Sequence, residues 1–238
     1  MRPLDRRFTP PVAGIDLEQA MNYLELGPVP RDVIYGHYTS GRLFYEAGSR
    51  PCLEAVARAV VGQETRPLEQ VRMLAEFIAR DIPWAGYHEQ RLGFKLPADR
   101  DLTEEAIIES GFAWCNEQAR VFCCLTQVVG IVSRLVFASN IAKRYGHVIS
   151  EVLLPDGWLA VDQSFGFCFV ASERVICAAD IYHDVEARRL LAPAYGRICV
   201  DLIGELGRAI TSTSFTMATS DTPLDGFTNL GFCNYFVR

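Results

Sequence analysis

The spacing of apolar residues predicts four helices in the first half of the chain. Each stretch carries an apolar stripe with a repeat of three or four residues and is bounded by a capping or helix-ending residue. The fourth stretch is mostly uncharged, so we expect it to lie at the centre of the core. The predicted helices lie between Pro51 and Gly62, between Thr65 and Pro83, between Thr103 and Gly111, and from Cys115 to Val129.

Beyond Gly130 the pattern changes to the shorter runs that are typical of strands. Three runs rich in β-branched and aromatic residues follow, Ile131–Ala138, His147–Leu154 and Trp158–Phe165. The last two are separated by the tripeptide 155–157, Pro-Asp-Gly, which predicts a tight turn. Helices followed by an antiparallel meander predict an α+β fold, with the helices packed on an antiparallel β-sheet.

The chain divides by composition into three parts, which we expect to form a single domain. Residues 1–50 are rich in Pro, Gly and Tyr and predict an irregular N-terminal extension packed on the core. Residues 51–170 hold the predicted core. Residues 171–238 form a C-terminal extension that ends in a strand-like run, Phe232–Val237. Its many aromatic residues suggest that it also packs on the core, where it could narrow a cleft and favour small substrates.

Charge and hydropathy narrow the class of protein. The 238 residues include 23 Lys and Arg against 29 Asp and Glu, a net charge of −6, and half of them are hydrophobic. This balance argues against a strongly basic nucleic-acid-binding protein and against a disordered chain. The longest apolar stretch, Cys123–Phe137, is interrupted by polar residues, so we expect no membrane span.

Eight cysteines are a further constraint on the class of protein. No two of them have Cys-x-x-Cys spacing, and the first residues lack the pattern of a secretory signal, so we expect reduced thiols and a cytoplasmic location. No cluster of metal-ligating residues is recognisable, and no cofactor is expected. Most of these thiols are expected to be packing residues. They are Cys52, Cys115, Cys123, Cys124, Cys168, Cys177, Cys199 and Cys233.

Three residues fall at element ends in an order that suits nucleophilic catalysis. Cys115 opens a predicted helix, where unpaired backbone N–H groups and the helix dipole lower a thiol pKa. His147 begins a strand and could act as proton acceptor and donor for that thiol. Asp162 lies in the next predicted strand and could orient the imidazole and stabilise its charged form. Glu117, in the first turn of the helix, is expected to face solvent.

Four short motifs give the chain a family resemblance. Their order and spacing resemble the transglutaminase-like superfamily, whose core is similar to that of papain-type cysteine proteases. The resemblance extends over about half of the chain, from Leu53 to Gly166. The motifs are SGFAWCNEQA at 110–119, GI at 130–131, HVISEV at 147–152 and GWLAVD at 157–162.

The resemblance implies a papain-like core with a nucleophile at the start of a central helix. It assigns Cys115 as nucleophile, His147 as general base and acid, and Asp162 as the orienting acid. It also implies that the backbone N–H of Cys115 is one donor of an oxyanion hole. Members of the family commonly have glycine where this chain has Ala113, and the motifs assign a second oxyanion donor to neither of the candidates, Trp84 and Gln90.

The function implied is cysteine-dependent acyl transfer or amide hydrolysis through a thioester on Cys115. The substrate is expected to be a peptide, an amide or another acyl donor. Water as acceptor would make the protein a protease or amidase, and an amine would make it a crosslinking or amide-forming enzyme. Two alternatives stay open: a catalytically silent module that binds a peptide or partner in its cleft, and a biosynthetic acyltransferase acting on a small or carrier-bound substrate. The oligomeric state is open as well.

The predicted hairpin sets one geometric condition on this site. A simple turn through the tripeptide at 155–157 places Asp162 opposite Ser150 or Glu151, three or four residues from His147. We therefore expect a bulge or a strong bend to bring the carboxylate to the imidazole.

Overall fold

The structure is a computed structural model. Most of the predicted N-terminal extension and a large part of the C-terminal extension lie outside the residues that it describes, as do Gln90 and Cys199. The described residues are 23–25, 35, 43, 45–86, 89, 93, 96, 102–140, 145–191, 193–195 and 229–235.

The four predicted helices are present within a few residues of their expected bounds. The start of the third helix, Glu104–Ser110, is capped by Thr103, whose Oγ1 accepts the Ala106 N–H at 3.3 Å, and its end by Gly111 in the left-handed region with φ 70°. None of the helices in the described part of the chain is long and apolar enough to cross a membrane. The four are α1 (Pro51–Val61), α2 (Pro67–Asp81), α3 (Glu104–Ser110) and α4 (Cys115–Val128).

The main strands form one antiparallel sheet, and its combination with the helices confirms the α+β prediction. Within the described residues it has six strands in the order β1-β8-β2-β3-β4-β5. A small hairpin of β6 and β7 and a short helix, α5, follow the main strands in the chain. The bounds are β1 (Tyr23–Glu25), β2 (Ser133–Asn140), β3 (Tyr145–Leu154), β4 (Gly157–Asp162), β5 (Phe167–Cys168), β6 (Val170–Ala171), β7 (Arg174–Val175), α5 (Ala178–His183) and β8 (Asn229–Asn234).

Both faces of the sheet are covered. Side chains alternate along β3, so Val148 and Val152 join the apolar cluster that contains α1 to α4, whereas Ile149 joins a second cluster. The second cluster contains residues of α5 and of the chain that follows it, among them Ile181 and Tyr195. The sheet is therefore the middle layer between the four helices and the segment 176–195.

A buried ion pair links the sheet to this second layer. The Arg134 guanidinium donates to Glu151 Oε2 from Nε at 2.9 Å and from Nη2 at 2.7 Å, and both side chains are fully buried. The other oxygen of Glu151 accepts the Ala178 N–H at 2.6 Å, at the start of α5. Glu151, the acid of the HVISEV motif, thus joins β2, β3 and α5, and it takes no part in the cysteine site.

A second buried carboxylate holds the start of the core together. Glu104 on α3 forms ion pairs with Arg50, at 2.9 Å, and with Arg120 on α4, at 2.7 Å. Tyr235, directly after β8, donates its hydroxyl to the same carboxylate at 2.6 Å. This network ties α4 to α3 and to the sheet, and so sets the position of the helix that begins with Cys115.

Candidate active site

The start of α4 is held in place by backbone pairing with the segment that follows α2. Ala113 donates its N–H to Pro83 O at 3.0 Å and accepts the Ala85 N–H at 2.7 Å. Glu117 Oε2 accepts the Trp114 N–H at 2.8 Å, and its side chain is buried, so the expectation that Glu117 faces solvent is wrong. It caps the helix from within the first turn, which leaves Cys115 as the first residue of α4.

The hairpin between β3 and β4 has a register that differs by one residue from the simplest prediction. Leu154 pairs with Gly157, so only Pro155 and Asp156 form the turn. Gly157 has φ 124°, a backbone conformation that glycine adopts most readily.

This register removes the need for a bulge. Val161 lies opposite Ser150, and the next position of the ladder places Asp162 opposite Ile149. His147 is two residues from Ile149, and residues two apart on a strand share a face. Asp162 and His147 are therefore diagonal neighbours on one face of the sheet, where side chains are within reach of each other. The expected bulge is wrong because the turn is one residue shorter than assumed.

The structure brings Cys115, His147 and Asp162 together. His147 Nε2 lies 2.8 Å from Asp162 Oδ2, and Asp162 is fully buried. The thiol of Cys115 contacts the imidazole and the backbone N–H of Val148. With Nε2 occupied by the carboxylate, Nδ1 is the ring nitrogen available to the thiol.

Burial and charge act in opposite directions on the thiol and the imidazole. Burial raises the pKa of the Cys115 thiol, but the hydrogen bond and positive charge of His147, together with the Val148 N–H, outweigh it and the pKa lies below its ordinary value. Burial lowers the pKa of His147, but Asp162 and Cys115 more than compensate, so that pKa lies well above its ordinary value. Both shifts favour a thiolate beside an imidazolium.

Asp162 has two further hydrogen-bond donors. The Ser164 N–H donates to Oδ1 at 3.0 Å, and the Tyr195 hydroxyl donates to Oδ2 at 2.6 Å. Tyr195 comes from the C-terminal extension and is buried. Sequence reasoning missed this residue, because it follows Asp162 by 33 positions with no motif that links the two.

Two glutamines fix the backbone around the site. Gln163 donates from Nε2 to Val148 O at 2.9 Å and to Cys115 O at 3.4 Å, which joins the strand of the imidazole to the helix of the thiol. Gln118 donates to Ile82 O at 2.8 Å and accepts the Ser164 hydroxyl at 2.6 Å. Gln163 directly follows the acid of the GWLAVD motif, and alternation along β4 was a signal that it lies on the helix side.

The indole of Trp84 lies beside the start of α4. Its ring centroid is 5.7 Å from that of Trp114 in an edge-to-face arrangement. Gly86 lies directly beneath it, since a Cβ at that position would come within 2.0 Å of the Trp84 ring. Of the two upstream residues considered as oxyanion donors, Trp84 is thus close to the cysteine segment, and Gln90 lies outside the described residues.

The other thiols behave differently from Cys115. Burial raises the pKa of Cys123, Cys168 and Cys233 to about 12 and that of Cys177 to about 11. All seven cysteines in the described part of the chain are free, and Cys52 is exposed. Among the described residues, no group of His, Cys, Asp and Glu side chains is arranged to hold a metal ion.

One family of known proteins matches part of the chain. Residues 54–163 match the family model described as the transglutaminase-like superfamily, and Cys115, His147 and Asp162 lie within this range. No curated protein matches the sequence at a significant level.

Two solved structures are similar to the chain. One is a protein from Cytophaga hutchinsonii described as a "putative cysteine protease", with 14% identity, a TM-score of 0.40, and coverage of 63% of this chain and 48% of the other. The second is the periplasmic domain of TgpA from Pseudomonas aeruginosa, with 19% identity, a TM-score of 0.39, and coverage of 51% and 45%. The chain spans about half the length of these two structures.

Proposed function

Residues 54–163 form a transglutaminase-like core, and from this premise we propose that the protein catalyses cysteine-dependent acyl transfer or amide hydrolysis through a thioester on Cys115. The observation that carries the proposal is the contact of a helix-start thiol with an imidazole whose Nε2 is held 2.8 Å from a buried carboxylate. Each of the three groups has the partner that its role requires.

In the acylation step the Cys115 thiolate attacks the carbonyl carbon of the acyl donor. The backbone N–H of Cys115, at the start of α4, stabilises the negative charge on the carbonyl oxygen. His147 donates its proton to the leaving nitrogen as the C–N bond breaks, which leaves the acyl group on sulfur. Asp162 holds the ring so that Nδ1 faces sulfur and the leaving group.

In the second step His147 takes a proton from the acceptor, which attacks the thioester carbonyl. The C–S bond breaks, sulfur leaves as thiolate, and the proton stays on the imidazole, so the thiolate and imidazolium are restored. Water as acceptor yields a carboxylic acid and an amine yields a new amide. The three residues support both outcomes equally.

A covalent trap tests the proposal. The purified protein is mixed with p-nitrophenyl acetate, and acetylation of Cys115 is followed by the burst of p-nitrophenolate and by peptide mass spectrometry. We expect one acetyl group per chain on Cys115, lost in Cys115→Ala and kept in Cys52→Ala, which removes the exposed thiol as a control. A linear release of p-nitrophenolate with no acetyl group on Cys115 would favour the silent binding module instead.

A further inference from the structure

Within the described residues, β3 continues past its last pair with β4 and runs on beside the active site. That last pair is Ser150 with Val161. The N–H and C=O groups of successive residues point alternately to the two neighbouring strands, and Leu153 donates its N–H to Val132 O on the side of β2. Val148, like Ser150, therefore directs its backbone groups to the side of β4, where the ladder has already ended.

Side chains take the place of a paired strand at Val148. Gln163, the first residue after β4, donates its side-chain amide to Val148 O at 2.9 Å. The Val148 N–H lies on the same edge and contacts the thiol of Cys115. Both backbone groups of this buried residue thus have a partner, and one of the partners is the proposed nucleophile.

The carboxamide of Gln163 is itself held by further hydrogen bonds. Its Oε1 accepts the Ser150 hydroxyl at 3.2 Å, and its Nε2 makes a second, longer hydrogen bond to Cys115 O at 3.4 Å. The side chain is fully buried. The carboxamide therefore has little freedom to rotate, and it fixes the orientation of the Val148 peptide group relative to the start of α4.

A fixed N–H group beside sulfur favours one charge state of the thiol. A hydrogen-bond donor stabilises a thiolate more than a thiol, because it interacts with a full negative charge. Val148 directly follows His147, so one short piece of β3 carries both groups that stabilise charged sulfur. Without the Gln163 amide, Val148 O would be a buried carbonyl without a donor, and the peptide group would turn toward another one.

We propose that Gln163 is a positioning residue that holds the Val148 N–H against the Cys115 thiolate and so keeps the nucleophile charged. The assignment rests on the proposed function of Cys115 and adds to it a residue that acts through the backbone of β3. It also gives the end of the ladder a consequence for the reaction. A ladder that continued past Ser150 would pair the Val148 N–H with β4 and withdraw it from sulfur.

Gln163→Met tests the assignment, because it removes the amide and keeps the length of the side chain. The titratable groups that act on Cys115, His147 and Asp162, are retained. The midpoint of the pH profile for alkylation of Cys115 by iodoacetamide should rise by about one pH unit, the effect of one hydrogen bond to a charged group. For p-nitrophenyl acetate, kcat should fall about tenfold while KM stays within about twofold of the parent value.

Gln127→Met is the matched control. Gln127 is buried in α4, about three turns from Cys115, and donates its amide to Tyr235 O at 2.6 Å and to Ser133 Oγ at 3.2 Å. Both variants should lower the urea midpoint of unfolding by similar amounts, but only Gln163→Met should shift the alkylation profile. A parent-like profile in Gln163→Met, or an equal shift in both variants, would overturn the assignment.

Nuclear magnetic resonance gives a readout that does not depend on the glutamine variants. In the parent protein the amide proton of Val148 should shift with pH at the midpoint of the alkylation rate, and the Cys115→Ala protein should show no step at this midpoint. A Val148 signal that ignores the ionisation of Cys115 would also overturn the assignment. Failure of p-nitrophenyl acetate to acylate Cys115 in the parent protein would instead overturn the proposed function.

Discussion

The start and the middle of α4 place two thiols in contrasting surroundings. Cys115 opens the helix and contacts His147, and its pKa lies below the ordinary value. Cys123 lies two turns further on, fully buried, with Ser150 Oγ 3.7 Å from its sulfur, and burial raises its pKa to about 12. Burial raises the pKa of both thiols, so it is the cationic partner that makes one of them reactive.

The contrast shows why the number of cysteines says little about function. A buried thiol without a positive neighbour behaves as a small apolar side chain. The helix dipole lowers the pKa of a thiol at a helix start. An imidazolium that is held by a carboxylate lowers the pKa of a neighbouring thiol much more. The experiments below test this contrast in order of expected effect.

The largest expected effect is the selectivity of alkylation. At pH 6.5, iodoacetamide should modify Cys115 at least about 1000-fold faster than Cys123, because the fraction of thiolate differs by several powers of ten. Because the pKa of Cys115 is lowered, its rate should rise with pH and reach a plateau below pH ~8.5. Rates per thiol are measured by mass spectrometry of the labelled peptides. Comparable rates at the two thiols would remove the basis for a special role of Cys115.

The second effect is the loss of the cation beside Cys115. In His147→Ala, burial is no longer opposed by the imidazole, so the pKa of Cys115 should rise and alkylation at pH 6.5 should slow by about 100-fold. The matched control is His183→Ala, since His183 is exposed at the end of α5. If both histidine variants leave the rate unchanged, the helix start alone activates the thiol.

The third effect concerns the hydroxyl that donates to Asp162. Tyr195→Phe should lower kcat for p-nitrophenyl acetate about tenfold, the size of one hydrogen bond to a charged group. The carboxylate then has one hydrogen-bond donor fewer and interacts more strongly with His147, so the pKa of His147 should rise and the alkaline limb of the pH profile should move to higher pH.

Tyr235→Phe is the control for this variant. Tyr235 donates to the buried Glu104 at 2.6 Å, the same distance as Tyr195 to Asp162, but away from the site. Like Tyr195→Phe, this variant removes one hydrogen bond to a buried carboxylate, so the two should lower the free energy of unfolding by similar amounts. Tyr235→Phe should leave the pH profile of the activity unchanged. A shifted profile in both variants would show that the Tyr195 effect is indirect.

The smallest effect is on stability. Cys123→Ala should lower the free energy of unfolding by about 1 kcal/mol, the usual cost of a small buried deletion. Its alkylation rate at Cys115 should equal that of the parent protein. Urea denaturation gives the first quantity and peptide labelling the second. A large drop in Cys115 reactivity would mean that the two thiols are coupled through β3.

Much of the fold could be predicted because its signals are local. The helices have apolar stripes and caps such as Thr103 and Gly111, and the hairpin has a turn sequence at 155–157. The order of Cys115, His147 and Asp162 at element ends also identified the residues that the structure brings into contact. The inferences on helices and turns depend on neighbours within a few positions in the sequence, whereas the three site residues are identified by the order of the motifs along the chain.

Other features depend on contacts between distant parts of the chain. Glu117 could face solvent or cap its own helix, and only the packing around α4 buries it. The register of β4 depends on whether the turn before it has two residues or three, and sequence patterns do not distinguish the two turn lengths. Tyr195 reaches Asp162 from a segment without recognisable periodicity.

By itself, the sequence determined which three residues could carry the chemistry, because element ends and caps are local properties of the chain and the motifs occur in a recognisable order. Only the tertiary structure decided how they act. The pKa of Cys115 depends on the balance between burial and a cation 32 positions away in the sequence, and the orientation of that cation depends on Asp162 and on Tyr195, which reaches Asp162 from the C-terminal extension. Such balances depend on distance and dielectric surroundings, which packing alone sets.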